Sequence, residues 1–150
     1  MINLRCSAIV LTLVLAVATS ALGKEPSAAG RIKVASGSAF IMRETKLIPA
    51  QIGQAVFEAD GLRTGPNGRI GVTLMDDTRV SLGPSSEVRL ARFVYAPGDG
   101  RLAVVLKIVR GVAAYVSGRI AKLSPDAVHL ETPSSIVGVR GTSVAIRVEP

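Results

Sequence analysis

Residues 62–72 read LRTGPNGRIGV and residues 80–90 read VSLGPSSEVRL, and the two segments align without a gap at a constant offset of 18 positions. Apolar positions coincide with apolar positions, and both copies carry a Gly-Pro pair, at 65–66 and at 83–84. Gly and Pro supply the backbone angles that tight turns need. Each copy therefore predicts a strand, a Gly-Pro turn and a second strand.

Alternation of apolar and polar residues extends the strand prediction beyond this repeat. Residues 69–74 and residues 143–148 each place their apolar side chains on one face only. A strand with one buried face requires this period of two, because successive side chains point to opposite sides. Residues 102–109 are apolar on both faces apart from Lys107, which predicts a central strand.

Further turn segments, at 76–78 and 96–100, separate the predicted strands. A helical period of 3.6 residues occurs only within residues 1–23. The sequence therefore predicts an all-β domain. Two arrangements of it stay open: two packed sheets, or a short β-roll or solenoid of stacked hairpin-like units.

Residues 1–23 are predicted to be a secretory signal peptide. Arg5 precedes an apolar run at 8–18, and small residues follow it at Ala21 and Gly23, as a signal peptidase requires. The run is shorter than the roughly 20 apolar residues of a spanning helix. We expect a periplasmic or secreted protein with no transmembrane anchor after cleavage; an uncleaved anchor is the alternative.

The rest of the chain is predicted to consist of a flexible lead-in at 24–30 and one β domain at 31–150. The only cysteine, Cys6, lies in the predicted signal peptide, so we expect neither a disulfide nor a cysteine metal site. His129 is the only histidine. Because a metal site of this class needs several nitrogen or sulfur ligands, we expect no metal and no cofactor.

The charge of the chain is strongly basic. The formal net charge is +7, and Arg5 is the only charged residue in 1–23, so +6 remains after cleavage. A basic exported protein tends to adhere to polyanions. Three Phe, two Tyr and no Trp offer little on which bases could stack, so specific binding to nucleic acid is not expected.

Several short motifs recur in the order seen in a known family. They are DGLRTGPNGR at 60–69, VSLGPSS at 80–86, RGV at 110–112, and TP at 132–133 followed by GVRGT at 138–142. This ordered set resembles the FecR domain family, which includes the periplasmic part of iron-uptake sigma-factor regulators and many stand-alone secreted proteins. The positions to which the resemblance gives a structural role are Thr64, Gly65, Pro66, Gly83, Pro84, Pro133, Gly138, Arg140, Gly141 and Thr142.

The resemblance implies the sensing or scaffolding half of a signal-transduction protein. Only about five residues precede the apolar run, too few for a cytoplasmic sigma-binding domain of ordinary size. One departure from the family pattern is Asp76-Asp77, which stands where the family usually has an Asp-Gly turn.

No motif predicts catalysis. Residues 138–142 lack the lysine of a phosphate loop and are flanked by strands, so their glycines, like Gly65, are interpreted as bulge or positive-φ turn positions. His129 alternates with apolar residues and is expected to point outward. Asp76-Asp77 is interpreted as a solvated turn pair. We expect no enzyme, and an unrecognised hydrolase remains a further hypothesis.

Three arginines are polar members of alternating strands: Arg69, Arg79 and Arg89. We expect them on one outward face, as candidate partner-binding residues. The first functional hypothesis is a non-catalytic binding or scaffolding module that recognises an envelope protein, through a partner strand added to an exposed edge. The alternative is adhesion to anionic envelope polymers through the arginine face. The oligomeric state is left open.

Overall fold

The computed structural model of the protein describes Gly23 and residues 25–150, and within that part the prediction of an all-β domain is confirmed. The predicted signal peptide and its cleavage site lie outside the described residues. The strands are β1 Gly30–Ser36, β2 Ala39–Arg43, β3 Lys46–Pro49, β4 Ala55–Val56, β5 Gly61–Thr64, β6 Arg69–Leu74, β7 Arg79–Leu82, β8 Glu87–Ala96, β9 Arg101–Val116, β10 Val128–Glu131, β11 Ile136–Gly138 and β12 Ser143–Val148.

The twelve strands form one curled, open sheet. Half I runs in the order β4-β1-β6-β7-β9-β12, and half II runs in the order β3-β2-β5-β8-β9-β10-β11. All neighbours are antiparallel except β9 and β10, which are parallel. The two halves enclose a single apolar core to which β1, β6 and β7 contribute from one side and β2, β5 and β8 from the other.

Strand β9 belongs to both halves, as the apolar run in the sequence predicts for a central strand. Residues 101–110 pair with β8, and residues 113–116 pair with β7. Between these segments Gly111 adopts φ +79°, a left-handed conformation that glycine takes without steric cost. The bend at Gly111 lets one continuous strand pass from half II into half I.

The internal repeat folds as the sequence predicts, with one strand on either side of each Gly-Pro turn. The first copy is β5 and β6, the second is β7 and β8, and each turn carries the chain from one half to the other. The two copies pair with each other antiparallel, β6 with β7 and β5 with β8. They therefore close around the core and do not stack as successive parallel rungs, so a roll of stacked units is not formed.

The chain joins the core slightly before the predicted domain boundary. Ala29 is 3% exposed, and its backbone N–H donates to the carbonyl of Val56 at 2.7 Å. The carbonyl of Ala29 accepts from the N–H of Met75 at 2.8 Å. Ala29 and the first residue of β1, Gly30, thus belong to the folded domain.

The sequence did not predict the short helix α1, Arg119–Leu123, which connects β9 to β10. Its five residues place Ile120 in the core with no exposed surface. Two short 3-10 turns, Pro97–Asp99 and Pro125–Ala127, complete the helical structure described. No helix in residues 25–150 is long and apolar enough to cross a bilayer.

Candidate functional site

The two Gly-Pro turns lie side by side and are joined through one threonine. The hydroxyl of Thr64 donates to the carbonyl of Gly83 at 2.7 Å and accepts from the N–H of Ser86 at 2.9 Å. The N–H of Ser85 donates to the carbonyl of Gly65 at 2.9 Å. Because Thr64 is only 3% exposed, the two bonds of its hydroxyl are shielded from water. Together the three bonds hold the two Gly-Pro turns against each other.

Ser86 extends this connection to the bend in β9. Its hydroxyl donates to the carbonyl of Pro84 at 2.9 Å and accepts from the N–H of Val112 at 2.8 Å. The N–H of Gly83 donates in turn to the carbonyl of Val112 at 3.0 Å. The two Gly-Pro turns and the bend in β9 are therefore joined side by side by hydrogen bonds within the protein. The signature residues in these turns are Thr64, Gly65, Gly83 and Pro84.

Gly65 is required by close packing. Its φ is not positive, which corrects the interpretation of this residue as a positive-φ position. A Cβ atom on Gly65 would lie 2.8 Å from the Cβ of Ser38, closer than real Cβ atoms approach. The neighbouring corner at Ser38 therefore occupies the space that a side chain would need, and Gly65 donates its N–H to the Ser38 carbonyl at 2.8 Å.

Asp76 is fully buried, so its interpretation as a solvated turn residue is wrong. Its carboxylate accepts hydrogen bonds from the N–H of Thr78 at 3.1 Å, the hydroxyl of Thr78 at 2.7 Å and the N–H of Ile120 at 3.2 Å. Asp77 differs: it has φ +68° and forms an exposed ion pair with Arg119 at 3.0 Å. The tertiary contact with α1, which the sequence does not encode locally, buries the first carboxylate and not the second.

A second buried carboxylate, Asp60, holds an arginine by both of its oxygens. Arg43 donates through Nε at 3.0 Å and through Nη2 at 2.7 Å, and its guanidinium lies 4.6 Å from the centre of the Phe57 ring. The hydrogen bond to Asp60 raises the pKa of Arg43 above its ordinary value. Asp60 is 2% exposed and also accepts the N–H of Phe57, so this pair joins the end of β2 to the segment that precedes β5.

The signature segment 138–142 forms the connection between β11 and β12. Val139 is buried, Arg140 is exposed, and Gly141 adopts φ +148°. No hydrogen bond of the Arg140 guanidinium is found among the described residues. Arg140 lines an open groove of about 430 Å³, which Asp126 also lines.

Pro133 and Thr142, the remaining signature residues of this region, lie at turns. Pro133 stands in the turn between β10 and β11, where the N–H of Thr132 donates to the carbonyl of Ser135 at 2.8 Å. Thr142 precedes β12, and its carbonyl accepts the N–H of Ser117 at 2.8 Å. Gly138 ends β11 opposite His129. His129 is exposed, as expected, and the described residues contain no group of three potential metal ligands.

The three candidate arginines are all exposed, but they do not share one face. Arg69 lies on β6 and Arg79 on β7, both on the outer side of half I. Arg89 lies on β8 in half II, directly opposite Lys107 of β9. The expectation of a common face is therefore wrong for Arg89, because the corner at residues 83–86 carries the chain from one half to the other between Arg79 and Arg89.

Four strands end the two halves, and β12 is the longest of them. β12 has six residues, whereas β3 has four, β11 three and β4 two. Within the described chain β12 pairs on one side only, with residues 111–116 of β9. Its core-facing side chains, Val144, Ile146 and Val148, pack against the core but remain partly exposed.

Comparison with known proteins identifies the family. The model of the family described as FecR protein matches residues 60–150, well over half of the chain. The chain belongs to the FecR family. No curated protein and no solved structure matches it significantly. All three structural centres described above, the corner at Thr64, the buried Asp76 and the segment 138–142, lie within the matched region.

Membership of the FecR family indicates a signalling or regulatory module associated with the cell envelope. The FecR family is not a known family of enzymes. The FecR match begins at Asp60, the residue that binds Arg43 of β2. Strands β1 to β4, which precede the match, thus fold together with the FecR region in one core.

Sequence reasoning missed the two buried carboxylates and α1. The available signal was Asp-x-Thr at residues 76–78, a spacing at which a carboxylate commonly accepts bonds from the residue two positions on. The partner Ile120 lies 44 positions away and has no local signal. Arg43 and Asp60 are likewise 17 positions apart, with two strands between them in the chain.

Proposed function

We propose that this FecR domain is a non-catalytic binding or scaffolding module of the periplasm or cell exterior, which recognises a protein partner by adding a strand of that partner to β12. The observation that carries the proposal is the open side of β12. An extended peptide can pair with such an edge through main-chain hydrogen bonds.

The orientation of the β12 backbone follows from a single bond just before the strand. The N–H of Ser117 donates to the carbonyl of Thr142 at 2.8 Å, and these residues are direct partners in the register that continues as Ser143 with Val116. Hydrogen-bonded pairs alternate along an antiparallel ladder. The N–H and carbonyl groups of Ser143, Ala145 and Arg147 therefore face away from β9, toward the open side.

The other three edges are less suited to strand addition. β3 carries Lys46 at its start and Pro49 at its end, and both residue types are common on edges that avoid pairing. β4 and β11 are too short to offer more than one or two pairs of bonds. β12 has six residues, and a further strand beside it would also cover the partly exposed Val144 and Ile146.

Substitution of Ala145 by proline tests the proposal. Proline removes the outward N–H of residue 145 but no bond to β9, so the domain should fold. Ala145→Thr keeps that N–H and serves as the matched control. A photo-crosslinker placed at Ser143 should join the chain to an envelope protein identified by mass spectrometry, and a crosslinker at Leu47 on β3 should not.

The proposal expects Ala145→Pro to abolish the crosslink and Ala145→Thr to retain it. In hydrogen exchange, the purified partner should slow the amides of Ser143, Ala145 and Arg147, and leave those of Val144 and Ile146 unchanged. A crosslink that survives the proline substitution, or protection elsewhere on the domain only, would show that β12 is not the recognition edge.

A further inference from the structure

The strands of half I contain no acidic residue, whereas those of half II contain Glu87 and Glu131. In half II these carboxylates lie near three of the cations: Glu87 is 3.7 Å from both Arg63 and Arg110, and Glu131 is 3.7 Å from Lys107. The cations of half I thus have no acidic residue on the strands beside them. The cations of that half are Arg31, Lys33, Arg69, Arg79 and Arg147.

The register shows how four of these cations are arranged on the outer face. One cross-strand row contains Arg79 and Arg31, separated by Thr73. In full it reads Ser143, Val116, Arg79, Thr73, Arg31 across five strands. Neighbouring strands lie about 4.8 Å apart, which places the backbones of Arg79 and Arg31 roughly 10 Å from each other.

A second cationic row lies four residues further along the strands. It contains Arg69, which is opposite Ser36 of β1, and Arg147, which is opposite Val112 of β9. Gly83 lies between Val112 and Arg69 and donates its N–H to the carbonyl of Val112. At about 3.4 Å per residue the two cationic rows are roughly 14 Å apart.

Small residues occupy the row between the two cationic rows. It reads Ala145, Ala114, Ser81, Gly71 from β12 to β6. Short side chains here leave a shallow trench that crosses the strands, with arginines along both sides. The trench ends at β1, where Val34 lies over Gly71: a Cβ on Gly71 would be 3.1 Å from the Cβ of Val34. We call this surface the arginine trench.

We propose that the arginine trench binds a linear acidic polysaccharide, laid across the strands of half I. Guanidinium groups bind carboxylate and sulfate or phosphate oxygens through two parallel hydrogen bonds. The exposed Ser81 and the half-buried Thr73 add hydroxyl groups that suit the neutral hydroxyls of a sugar. The small central row lets the polymer backbone approach the sheet, so that the acidic groups can reach both rows of arginines.

Two other anionic partners fit the surface less well. A nucleic acid would be expected to stack its bases on aromatic rings, and the outer positions of these rows hold none. An anionic membrane would require only the positive charge and would make no use of the trench. A membrane would therefore respond only to a change in the charge of this surface, whereas a polysaccharide would also respond to a change in the shape of the trench.

Isothermal titration with heparin, a linear sulfated polysaccharide, provides the first test. The double substitution Arg69→Gln with Arg79→Gln should weaken binding about tenfold, since each lost contact is of the size of an exposed ion pair. The matched control, Arg89→Gln with Lys107→Gln, removes the same charge from half II and should change the affinity by less than about twofold. Equal losses for the two pairs would overturn the proposal, because they would indicate a general effect of net charge.

Ser81→Leu tests the trench itself. The substitution leaves the charge unchanged and fills the middle of the trench on an exposed strand position, where it should not prevent folding. We expect weaker heparin binding together with a retained circular dichroism spectrum. Unchanged heparin binding by Ser81→Leu would contradict the proposal. Binding to phosphatidylglycerol vesicles that is tighter than binding to heparin, and that Ser81→Leu does not affect, would also contradict it. Either result would indicate that the arginines bind an anionic surface and not a polysaccharide. Neither substitution alters the outward backbone groups of β12, so failure here does not bear on strand addition.

Discussion

The carboxylate of Asp76, in the β6–β7 hairpin, accepts a hydrogen bond from the N–H of Ile120, which lies 44 positions further along the chain. The carbonyl of Asp76 also accepts the N–H of Arg119, at 2.7 Å. The first two N–H groups of α1 would otherwise have no partner, because the first turn of a helix lacks acceptors of its own. One buried side chain therefore fixes both the hairpin and the helix that follows β9.

Asp76→Ala is expected to destabilise the domain by about 2–4 kcal/mol, because several buried donors lose their acceptor at once. Asp77→Asn is the matched control: Asn tolerates the left-handed backbone at this position, and only an exposed ion pair is lost. The control should change the stability by less than about 1 kcal/mol. Urea unfolding of both variants measures the difference, and equal midpoints would contradict the structural role of Asp76.

Gly65→Ala should destabilise the domain, whereas Gly83→Ala should be tolerated, although the two glycines are equivalent in the repeat. A Cβ at Gly65 would be 2.8 Å from the Ser38 Cβ, and one at Gly83 would be 3.6 Å from the Val112 Cβ. The first requires the backbone to move and the second is an ordinary contact. We expect the free energy of unfolding to fall by about 1–3 kcal/mol in Gly65→Ala. In Gly83→Ala it should rise or stay nearly unchanged.

Thermal melts of the two glycine variants, recorded side by side, decide this point. If Gly83→Ala lowers the melting temperature as much as Gly65→Ala, the two Gly-Pro turns do not differ in the space that they leave for a side chain. Gly141→Val differs from both variants, because a Cβ at Gly141 would meet no neighbouring atom. There φ is +148°, and backbone strain alone disfavours a β-branched side chain.

Tyr115 is expected to make the stability of the domain sensitive to alkali. Its side chain lies in the core, 3% exposed, and burial raises the pKa of the phenol above its ordinary value. The folded state therefore holds this proton more tightly than the unfolded state does. The contribution of this protonated phenol to the free energy of unfolding is complete below about pH 10, where the phenol of the unfolded state is also protonated. It is lost as the pH rises above that value.

Tyr115→Phe is expected to remove part of the loss of stability at high pH. Between about pH 9 and pH 11 the unfolding free energy of the variant should fall less steeply than that of the parent chain. Denaturant titrations at several pH values measure both slopes. Parallel curves would indicate that Tyr115 is not the group that titrates on unfolding.

Removal of the predicted signal peptide is expected to leave a mature protein that begins near Lys24. The small residues at Ala21 and Gly23 follow an apolar run that is too short to span a bilayer with ease. Intact mass measurement of protein recovered from the periplasm or medium gives the N-terminus directly. Recovery of residues 1–23 with a membrane fraction would show that this segment is retained as an anchor.

Local sequence patterns were sufficient to predict the strands and the turns between them. Alternation in residues 69–74 and 143–148 and the repeated Gly-Pro pairs are local properties, set by the two-residue period of a strand and by the backbone angles of Gly and Pro. A run that is apolar on both faces identified residues 102–109 as a central strand, and the order of the short motifs carried the resemblance to the FecR family.

The faces and edges that these strands present depend on long-range contacts. Arg79 and Arg89 have the same alternation, yet the corner between them places one on half I and the other on half II. Asp76 and Asp77 are adjacent, yet α1 buries only the first. Register, burial and edge exposure depend on contacts between distant segments, and no periodicity within one strand can specify which segment becomes its neighbour.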